Sequence, residues 1–428
     1  MGQHRLRSIG GITAVGLILL SLMGCFQPTK TEQAIASPQP NSSQESLAMK
    51  PEQKINPKLT EANTRFGFKL FSEILKQEPG KNVFVSPASV AIALDMVYNG
   101  ASGETQTAMA NALELNGLSL EALNRANLEL KKTLGNPDPA VQLAIANSLW
   151  ARQGIPFQPD FMQRNREFYG AEITNLNFGD PQALPTINNW VKQNTRGKIS
   201  KIVDTLDPND VLFLINAIYF KGDWTRPFDK QQTVEKPFYR LNGTPKSHPM
   251  MTQSGEYRYY ENDQFQTVSL PYGQNQRLTM LIVLPKKSSS LAKFSQTLNP
   301  NNWQQWVNQL RNRQGSIQIP RFKLEYDIEL KSALSALGMA NAFTAEQANF
   351  SGISKIPTKI DQVKHKTFVE VNEVGTEAAA VTSIGMRATS VMPSSEPFNL
   401  VVDRPFFFAI RDNQTGTLLF MGSMVEPG

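Results

Sequence analysis

The chain carries, from residue 372 to residue 380, the sequence Asn372-Glu373-Val374-Gly375-Thr376-Glu377-Ala378-Ala379-Ala380. A β-rich run ends near its first residue, and an alanine-dominated segment that ends in small polar residues continues to Ser395. This segment is too polar for a membrane helix and too poor in charge for an ordinary surface helix. Such a composition is typical of a loop that adopts a second conformation.

The segment alternates in character when it is read as an extended strand, in which successive side chains point to opposite faces. One set of alternate residues is uncharged and becomes larger along the chain: Thr376, Ala378, Ala380, Thr382, Ile384 and Met386. The other set carries both charges: Glu377, Ala379, Val381, Ser383, Gly385 and Arg387. One face could therefore contact a core while the other meets water. Because Ala is a good helix former and is rare in strands, the pattern taken alone favours an alanine-rich helix or a disordered loop.

Two stretches of the sequence resemble one known family. The stretch from Asn372 to Ala380 closely resembles the hinge of the reactive-centre loop of inhibitory serpins. The stretch from Phe398 through Asp403-Arg404-Pro405-Phe406 to Phe420-Met421-Gly422 is similar to their C-terminal signature. The resemblance extends from about Asn63 to Pro427. It implies an α+β serpin fold with three β-sheets, about eight to nine helices and an exposed reactive-centre loop.

The resemblance also implies a mechanism. The loop would act as bait for a serine or cysteine endopeptidase, and after cleavage it would insert into the main sheet and trap the covalent acyl-enzyme. Its hinge would comprise Glu373, Gly375, Thr376, Glu377, Ala378, Ala379 and Ala380. From Thr376 onward these residues are small, apart from Glu377, and the set that would face the core is uncharged. A buried charge or a bulky side chain would stall insertion, so the hinge favours an inhibitor.

The scissile bond is predicted by counting the family's usual interval from Gly375, which leads to Thr389-Ser390. The distance from Gly375 to Pro405 exceeds that of antitrypsin by several residues, so Arg387 and Met386 stay as alternatives. Thr389 would suit an elastase-like or broad protease. Arg387 would suit a trypsin-like enzyme, and Met386 a chymotrypsin-like or elastase-like one.

Six further residues match positions that the family uses during insertion. Ser86, Ser89, Asn216 and His365 would form a buried polar network, Trp224 would lie where the loop enters the sheet, and Arg321 would pair with Glu373. Read without the resemblance, three of them have an ordinary structural explanation. Ser86 precedes a proline as an N-cap does, and Trp224 and His365 are typical core residues. The run from Val211 to Phe220 predicts a central strand that is buried on both faces.

Composition limits the other functional classes. With 428 residues, 40% of them hydrophobic, the chain can bury one large or two ordinary domains. A formal charge of +6 without a concentrated basic patch does not indicate nucleic-acid binding. Of the three histidines, His4 lies in the N-terminal segment of residues 1–24, which is predicted below to be a signal peptide. Neither His248 nor His365 belongs to a nucleophile motif. We therefore expect no catalytic residue, no metal and no cofactor, which disfavours a lipid-anchored hydrolase. The charge composition of the segment from Leu118 to Leu134 does not support a binding site for a polyanionic cofactor.

The N-terminal residues predict export. Residues 1–24 have the basic start and short apolar core of a signal peptide, and Leu22-Met23-Gly24-Cys25 resembles the bacterial lipobox. Lipidation at Cys25 would anchor the protein to the cell envelope, whereas a plain secretory signal with an incidental cysteine is the alternative.

Residues 25–62 are predicted to be a disordered tether and residues 63–428 the serpin domain. We expect a monomer whose partners are a protease and the membrane. The alternative function is a non-inhibitory serpin that acts as a lipid-anchored binding protein.

Overall fold

Two hydrogen-bonded sheets organise the computed structural model, which describes residues 55–135, 137–376 and 396–428. All of these residues belong to one compact unit that spans residues 53–428. The α-helices of this part of the chain are α1 (Pro57–Gln77), α2 (Pro87–Tyr98), α3 (Gly103–Ala112), α4 (Leu120–Gly135), α5 (Pro159–Arg164), α6 (Ala183–Asn194), α7 (Leu291–Thr297), α8 (Pro300–Gln309) and α9 (Lys331–Leu334). Its strands are β1 (Val83–Val85), β2 (Val141–Arg152), β3 (Glu172–Leu176), β4 (Leu212–Asp223), β5 (Val234–Tyr239), β6 (Pro245–Glu261), β7 (Phe265–Pro271), β8 (Leu278–Pro285), β9 (Arg311–Pro320), β10 (Phe322–Glu329), β11 (Gln362–Val371), β12 (Gly375–Thr376), β13 (Phe398–Val401), β14 (Phe406–Asp412) and β15 (Leu418–Met424). The predicted α+β architecture is confirmed.

The six-stranded sheet has the order β10-β11-β12-β4-β2-β3 and contains the predicted central strand. Alternate residues of β4 contact two different hydrophobic clusters. Leu214 and Phe220 belong to the main core, whereas Phe213 and Tyr219 pack in a smaller cluster with Ile187 of α6. Because β4 is buried on both faces, its sequence shows a continuous apolar run rather than alternation.

The nine-stranded sheet has the order β1-β15-β14-β8-β7-β6-β9-β13, with β5 also paired to β6. The 17-residue strand β6 joins two groups of strands. Its earlier residues pair with β5 and β9, and its last residues, Arg258 to Glu261, pair with β7. Counted separately, these two groups and the six-stranded sheet are the three sheets that the sequence predicts.

The start of the folded domain differs from the prediction. Helix α1 begins at Pro57, before the predicted start at Asn63, so the tether predicted for residues 25–62 is wrong at its C-terminal end. Leu59 and Ala62 are fully buried, and Asn56 caps the helix by accepting a hydrogen bond from the Lys58 N–H at 3.1 Å. The polar residues between these apolar positions concealed the helical periodicity.

Some predicted features lie outside the described residues. They are the leader (residues 1–24), Cys25, the tether up to residue 54, Glu377, Ala378, Ala379, Ala380, Met386, Arg387, Thr389 and Ser390. Within the described ranges, no helix combines the length and the apolar character that crossing a bilayer requires.

Candidate functional site

The hinge stretch folds back on the end of β11. The Asn372 N–H donates to the Gly375 carbonyl at 2.8 Å, and Asn372 Oδ1 accepts from the Val374 N–H at 3.1 Å. These bonds close a tight turn, after which Gly375 and Thr376 run antiparallel to β11. The same two residues pair on their other side with β4, where Gly375 lies opposite Asp223 and Thr376 opposite Gly222. Up to Thr376, the last residue that the structure describes before residue 396, the hinge therefore lies within the sheet.

Glycine is required at position 375 by close approach of the backbone. A Cβ atom there would lie 2.2 Å from the Gly222 carbonyl oxygen and 2.5 Å from the Asp223 Cα. Both are backbone atoms of β4, which cannot move aside without opening the sheet. Any side chain at this position would therefore push the hinge out of its place between the strands.

Trp224 fixes the turn from the side of β4. Its indole N–H donates to the Asn372 carbonyl at 2.9 Å, and its backbone N–H donates to the Val374 carbonyl at 2.8 Å. The indole stacks on the Tyr272 ring at 4.4 Å with an interplanar angle of 13°. The Tyr272 hydroxyl lies 3.0 Å from Thr376 Oγ1. Because burial raises the pKa of Tyr272, this hydroxyl stays neutral and keeps a proton to donate.

The carboxylate of Glu373 is buried at the turn, with only 4% of its side chain exposed. Glu373 Oε1 accepts a hydrogen bond from Thr233 Oγ1 at 2.7 Å. Arg321 Nε lies 3.7 Å from Glu373 Oε2, and the Arg321 side chain is 47% exposed. The two groups predicted to pair are thus neighbours, but at a distance that allows attraction rather than a hydrogen bond.

A buried polar network lies further along β11 and β4. His365 Nε2 accepts a hydrogen bond from the Ser86 N–H at 3.0 Å, so its other nitrogen, Nδ1, carries the proton and donates to Asn216 Oδ1 at 2.6 Å. The Asn216 amide group in turn contacts Ser89 Oγ and Asn147 Oδ1. Burial lowers the pKa of His365 to about 3, so the imidazole is neutral.

Local sequence explains how Ser86 and Ser89 reach this network. Strand β1 ends at Val85, and Ser86 is the N-cap of α2, whose first helical residue is Pro87. Ser86 Oγ accepts from the Ser89 N–H at 3.3 Å. Because the N-cap carries a free N–H outside the helix, the Ser86 amide can donate to His365.

Strands β4 and β11 are direct neighbours throughout this region. They pair in parallel over seven residue pairs, from Gln362 opposite Phe213 to Phe368 opposite Tyr219, and His365 lies opposite Asn216. Beyond the last of these pairs the two strands separate, and β12 occupies the gap. The sheet is thus closed over most of its length and open at one end.

The residues chosen from the sequence fall into two clusters. Trp224, Arg321, Glu373, Gly375 and Thr376 surround the open end of the sheet, and Ser86, Ser89, Asn216 and His365 meet near its middle. Sequence reasoning missed Tyr272, Thr233 and Asn147. Nothing local marks these three, because each acts through a partner that is distant in the chain. In the described part of the chain, no three His, Cys, Asp or Glu side chains gather as metal ligands.

Comparison with known proteins gives consistent matches. A family model described as "Serpin (serine protease inhibitor)" matches residues 61–427. An uncharacterized serpin-like protein of Thermococcus kodakarensis is 33% identical over 97% of this chain and 98% of that protein. The leukocyte elastase inhibitor of Homo sapiens is 34% identical over 86% of this chain and 99% of that protein. The crystal structure of the thermophilic serpin tengpin in the native state has a TM-score of 0.81 at 32% identity, over 87% of this chain and 95% of that one.

Proposed function

The chain belongs to the serpin family, and from this premise we propose that it is a suicide-substrate inhibitor of serine or cysteine endopeptidases. Members of this family are generally protease inhibitors rather than enzymes, and the leukocyte elastase inhibitor is a relative named for that activity. Serpin loop insertion is itself an established example of strand addition to a sheet. The single observation that carries the proposal for this chain is the position of Gly375 and Thr376 between β11 and β4.

The register of the sheet supports an insertion path. Thr376 lies opposite Val371 of β11 and Gly222 of β4. If the strand continued beyond Thr376 in its register with β11, Thr382 would lie opposite His365. In its register with β4, Thr382 would lie opposite Asn216. His365 and Asn216 already face each other where β11 and β4 pair directly. The two ladders therefore predict the same position for Thr382, and a cleaved loop would meet no register conflict.

The faces of the sheet support the same path. Thr376 faces the same side of the sheet as four residues of β11 and β4 that contact the main core: Val369, Val371, Ile218 and Phe220. Alternate residues of an inserted strand would face this core: Thr376, Ala378, Ala380, Thr382, Ile384 and Met386. All of these are uncharged. The charged residues Glu377 and Arg387 would face the other side, so insertion would bury no charge in the main core.

Insertion would also improve the hydrogen bonding of the sheet. The inserted strand would run antiparallel to both β4 and β11, and would replace one parallel ladder by two antiparallel ladders. That exchange adds roughly ten ladder hydrogen bonds at a net of about 1 kcal/mol each, before apolar burial is counted. In the uncleaved chain both ends of the loop are held, at Thr376 and at β13, which pairs with β9 of the other sheet. Full insertion therefore requires either cleavage of the loop or detachment of β13.

The trap follows from ordinary acyl-enzyme chemistry. The protease nucleophile attacks the carbonyl carbon of the scissile residue, the peptide bond breaks, and the new amine leaves with the proton that the protease base supplies. With Thr389-Ser390 as the scissile bond, about 14 residues would enter the sheet and carry the acylated enzyme on the order of 45 Å. Displacement would distort the oxyanion hole of the enzyme, and losing such donors slows deacylation by orders of magnitude.

A protease panel tests the proposal. The purified protein is incubated with elastase-like, trypsin-like and chymotrypsin-like enzymes, and the products are separated under denaturing conditions. An inhibitor gives a covalent adduct that survives denaturation, and mass spectrometry of the released peptide distinguishes Thr389, Arg387 and Met386 as the cut residue. Cleavage with no adduct, and with no rise in the melting temperature of the cleaved form, would contradict inhibition. That result would favour the alternative of a lipid-anchored binding protein.

We further propose that the protein is exported and held at the bacterial cell envelope by a lipid on Cys25, as a monomer. The support is the position of the chain's lone cysteine directly after Leu22-Met23-Gly24. Metabolic labelling with a radioactive fatty acid should label the wild type and not Cys25→Ser. Equal labelling of both proteins, or none of either, would contradict a lipid at this residue and leave a plain secretory signal.

A further inference from the structure

A cavity of about 490 Å³ is lined in part by the segment from Trp224 to Phe228, which also holds the hinge. Trp224 and Phe228 contribute one wall of this cavity, and their backbone N–H groups donate to the carbonyls of Val374 and Glu373. Strands β6, β7, β8 and β9 supply most of the rest. The volume lies in the range of sites that hold small organic molecules.

Two guanidinium groups line this cavity from opposite faces of β6, and neither forms an ion pair with a carboxylate of the described residues. Arg226 Nη2 donates to the Ser254 carbonyl at 3.0 Å, and the guanidinium lies 5.4 Å from the centre of the Tyr257 ring. Arg258 forms no ion pair with any described residue. The acidic side chain in the described lining is Glu256, which accepts a hydrogen bond from Asn312 at 3.1 Å. The lining therefore carries an excess of positive charge.

A third guanidinium, that of Arg411, belongs to the same face of the sheet as Arg258. Arg411 lies opposite Thr279 in the β8–β14 ladder, so the two side chains share a face of the sheet, and Thr279 lines the cavity. Burial lowers the pKa of Arg411, its neighbour Asp412 raises it, and the like charge of Arg258 lowers it. Asp412 is already committed to Arg277, at 2.6 Å. The repulsion between Arg258 and Arg411 would be relieved by an anion.

Two lining residues, Ser269 and Thr279, offer a hydroxyl donor. Ser269 Oγ and Thr279 Oγ1 are 2.7 Å apart and both residues are buried. One hydroxyl donates to the other, so the second keeps a hydrogen for another acceptor. Ser269 lies directly opposite Arg258 in the β6–β7 ladder, which puts the hydroxyl pair and the guanidinium on one face. Trp224 and Phe228 add apolar surface to the lining.

We propose that this cavity binds a small organic anion, in which a carboxylate, sulfate or phosphate group contacts Arg258 and the hydroxyl pair of Ser269 and Thr279, and an apolar or aromatic body lies against Trp224 and Phe228. Guanidinium groups bind such anions through paired charge-assisted hydrogen bonds. The aromatic wall would bury the body of the ligand. The proposal stands apart from protease inhibition, since it concerns binding to the uncleaved protein.

Calorimetric titration of the full-length protein tests the proposal with three probes. Naphthalene-2-sulfonate has both the charge and the aromatic body, inorganic sulfate has only the charge, and 2-naphthylmethanol has only the body. We expect saturable binding of one naphthalene-2-sulfonate per chain, weaker binding of sulfate and none of the neutral alcohol. Binding of the alcohol as tightly as the sulfonate, or no binding of the sulfonate, would overturn the proposal.

Arginine variants locate the site. Arg258→Gln should weaken naphthalene-2-sulfonate binding about tenfold or more, because it removes a charge-assisted contact. Arg258 is exposed, so the variant should fold, and an unchanged melting temperature verifies this. The matched control is Arg313→Gln, which removes an arginine of β9 that interacts with Glu261 and the Tyr259 ring instead. Equal affinity in the wild type and Arg258→Gln, or equal weakening in both variants, would contradict the assignment.

Discussion

His365 donates a hydrogen bond from Nδ1 to Asn216 Oδ1 across the parallel strands β11 and β4, over 2.6 Å. Its other nitrogen, Nε2, accepts a hydrogen bond from the Ser86 N–H, so the folded protein needs a neutral imidazole. Burial lowers the pKa of His365 to about 3 from an ordinary value of 6.5. The unfolded chain takes up the proton first as pH falls. The stability that the neutral histidine contributes is complete above pH 6.5 and is lost as pH falls from 6.5 toward 3.

We predict that the free energy of unfolding falls by roughly 2 kcal/mol between pH 6.5 and pH 5 through this residue alone. Urea denaturation at several pH values measures it, with His365→Asn as the comparison. The variant is expected to be less stable at neutral pH, and to lose stability less steeply on acidification. Identical slopes in the two proteins would show that His365 is not responsible.

Thr382 should matter to the cleaved protein and not to the intact one. Insertion of a strand moves β11 and β4 apart by about 4.8 Å, which breaks the bond between His365 and Asn216. In the register proposed above, the Thr382 hydroxyl lies between these two groups and can bond to them. Thr382→Val, which keeps the shape, should destabilise the cleaved form by about 1–3 kcal/mol. Calorimetric melting of both forms measures this.

The control for Thr382 is Ser383→Ala, whose side chain would face the opposite side of the inserted strand. It should leave the melting temperatures of both forms close to those of the wild type. If Thr382→Val shifts the intact and the cleaved form equally, the proposed register is wrong.

Thr376→Arg should convert the inhibitor into a substrate. Thr376 is fully buried and contacts the Tyr272 hydroxyl, so an arginine there would have to bury a charge or leave the sheet. Slower insertion gives the protease time to complete hydrolysis. The stoichiometry of inhibition, measured as moles of protein cleaved per mole of enzyme trapped, should rise severalfold. The conservative variant Thr376→Ser should keep the wild-type value, and an unchanged value for Thr376→Arg would refute the role of this residue.

Much of this fold could be predicted because its signals are local or belong to a shared motif. The apolar run of β4 indicated a strand with two buried faces, and Ser86-Pro87 indicated the start of α2. The domain boundary could not be placed, because the first turn of α1 buries Leu59 and Ala62 among polar residues. Tyr272 could not be found either, since its role depends on Trp224 and Thr376, which approach it only in the folded chain.

Asp95 is another residue whose environment the sequence concealed. It lies in the apolar run of α2, is fully buried, and accepts a hydrogen bond from Asn127 Nδ2 at 2.8 Å. Burial raises its pKa to about 7, only partly opposed by the bond from Asn127. Since the folded protein holds this proton more tightly than the unfolded chain, stability falls as pH rises from about 4 to about 7.

We therefore predict that Asp95→Asn stabilises the protein at pH 8, by roughly 2–4 kcal/mol, and that the difference shrinks toward zero near pH 4. Paired denaturation curves of the two proteins measure the difference, and the contribution of His365 cancels because both contain it. A difference that does not depend on pH would mean that Asp95 titrates normally.

The neighbouring charges of Glu373 and Arg321 should contribute little to stability. Their closest atoms are 3.7 Å apart and nearly half of the Arg321 side chain is exposed, so solvent screens the attraction. We expect a double-mutant cycle with Glu373→Gln and Arg321→Gln to give a coupling energy below about 1 kcal/mol in urea denaturation. The comparison is a cycle with Glu373→Leu, which removes the acceptor oxygens, and Thr233→Val, where a buried hydrogen bond of 2.7 Å should give the larger coupling. If the arginine cycle gave the larger value, Arg321 rather than Thr233 would be the group that holds Glu373 in the turn.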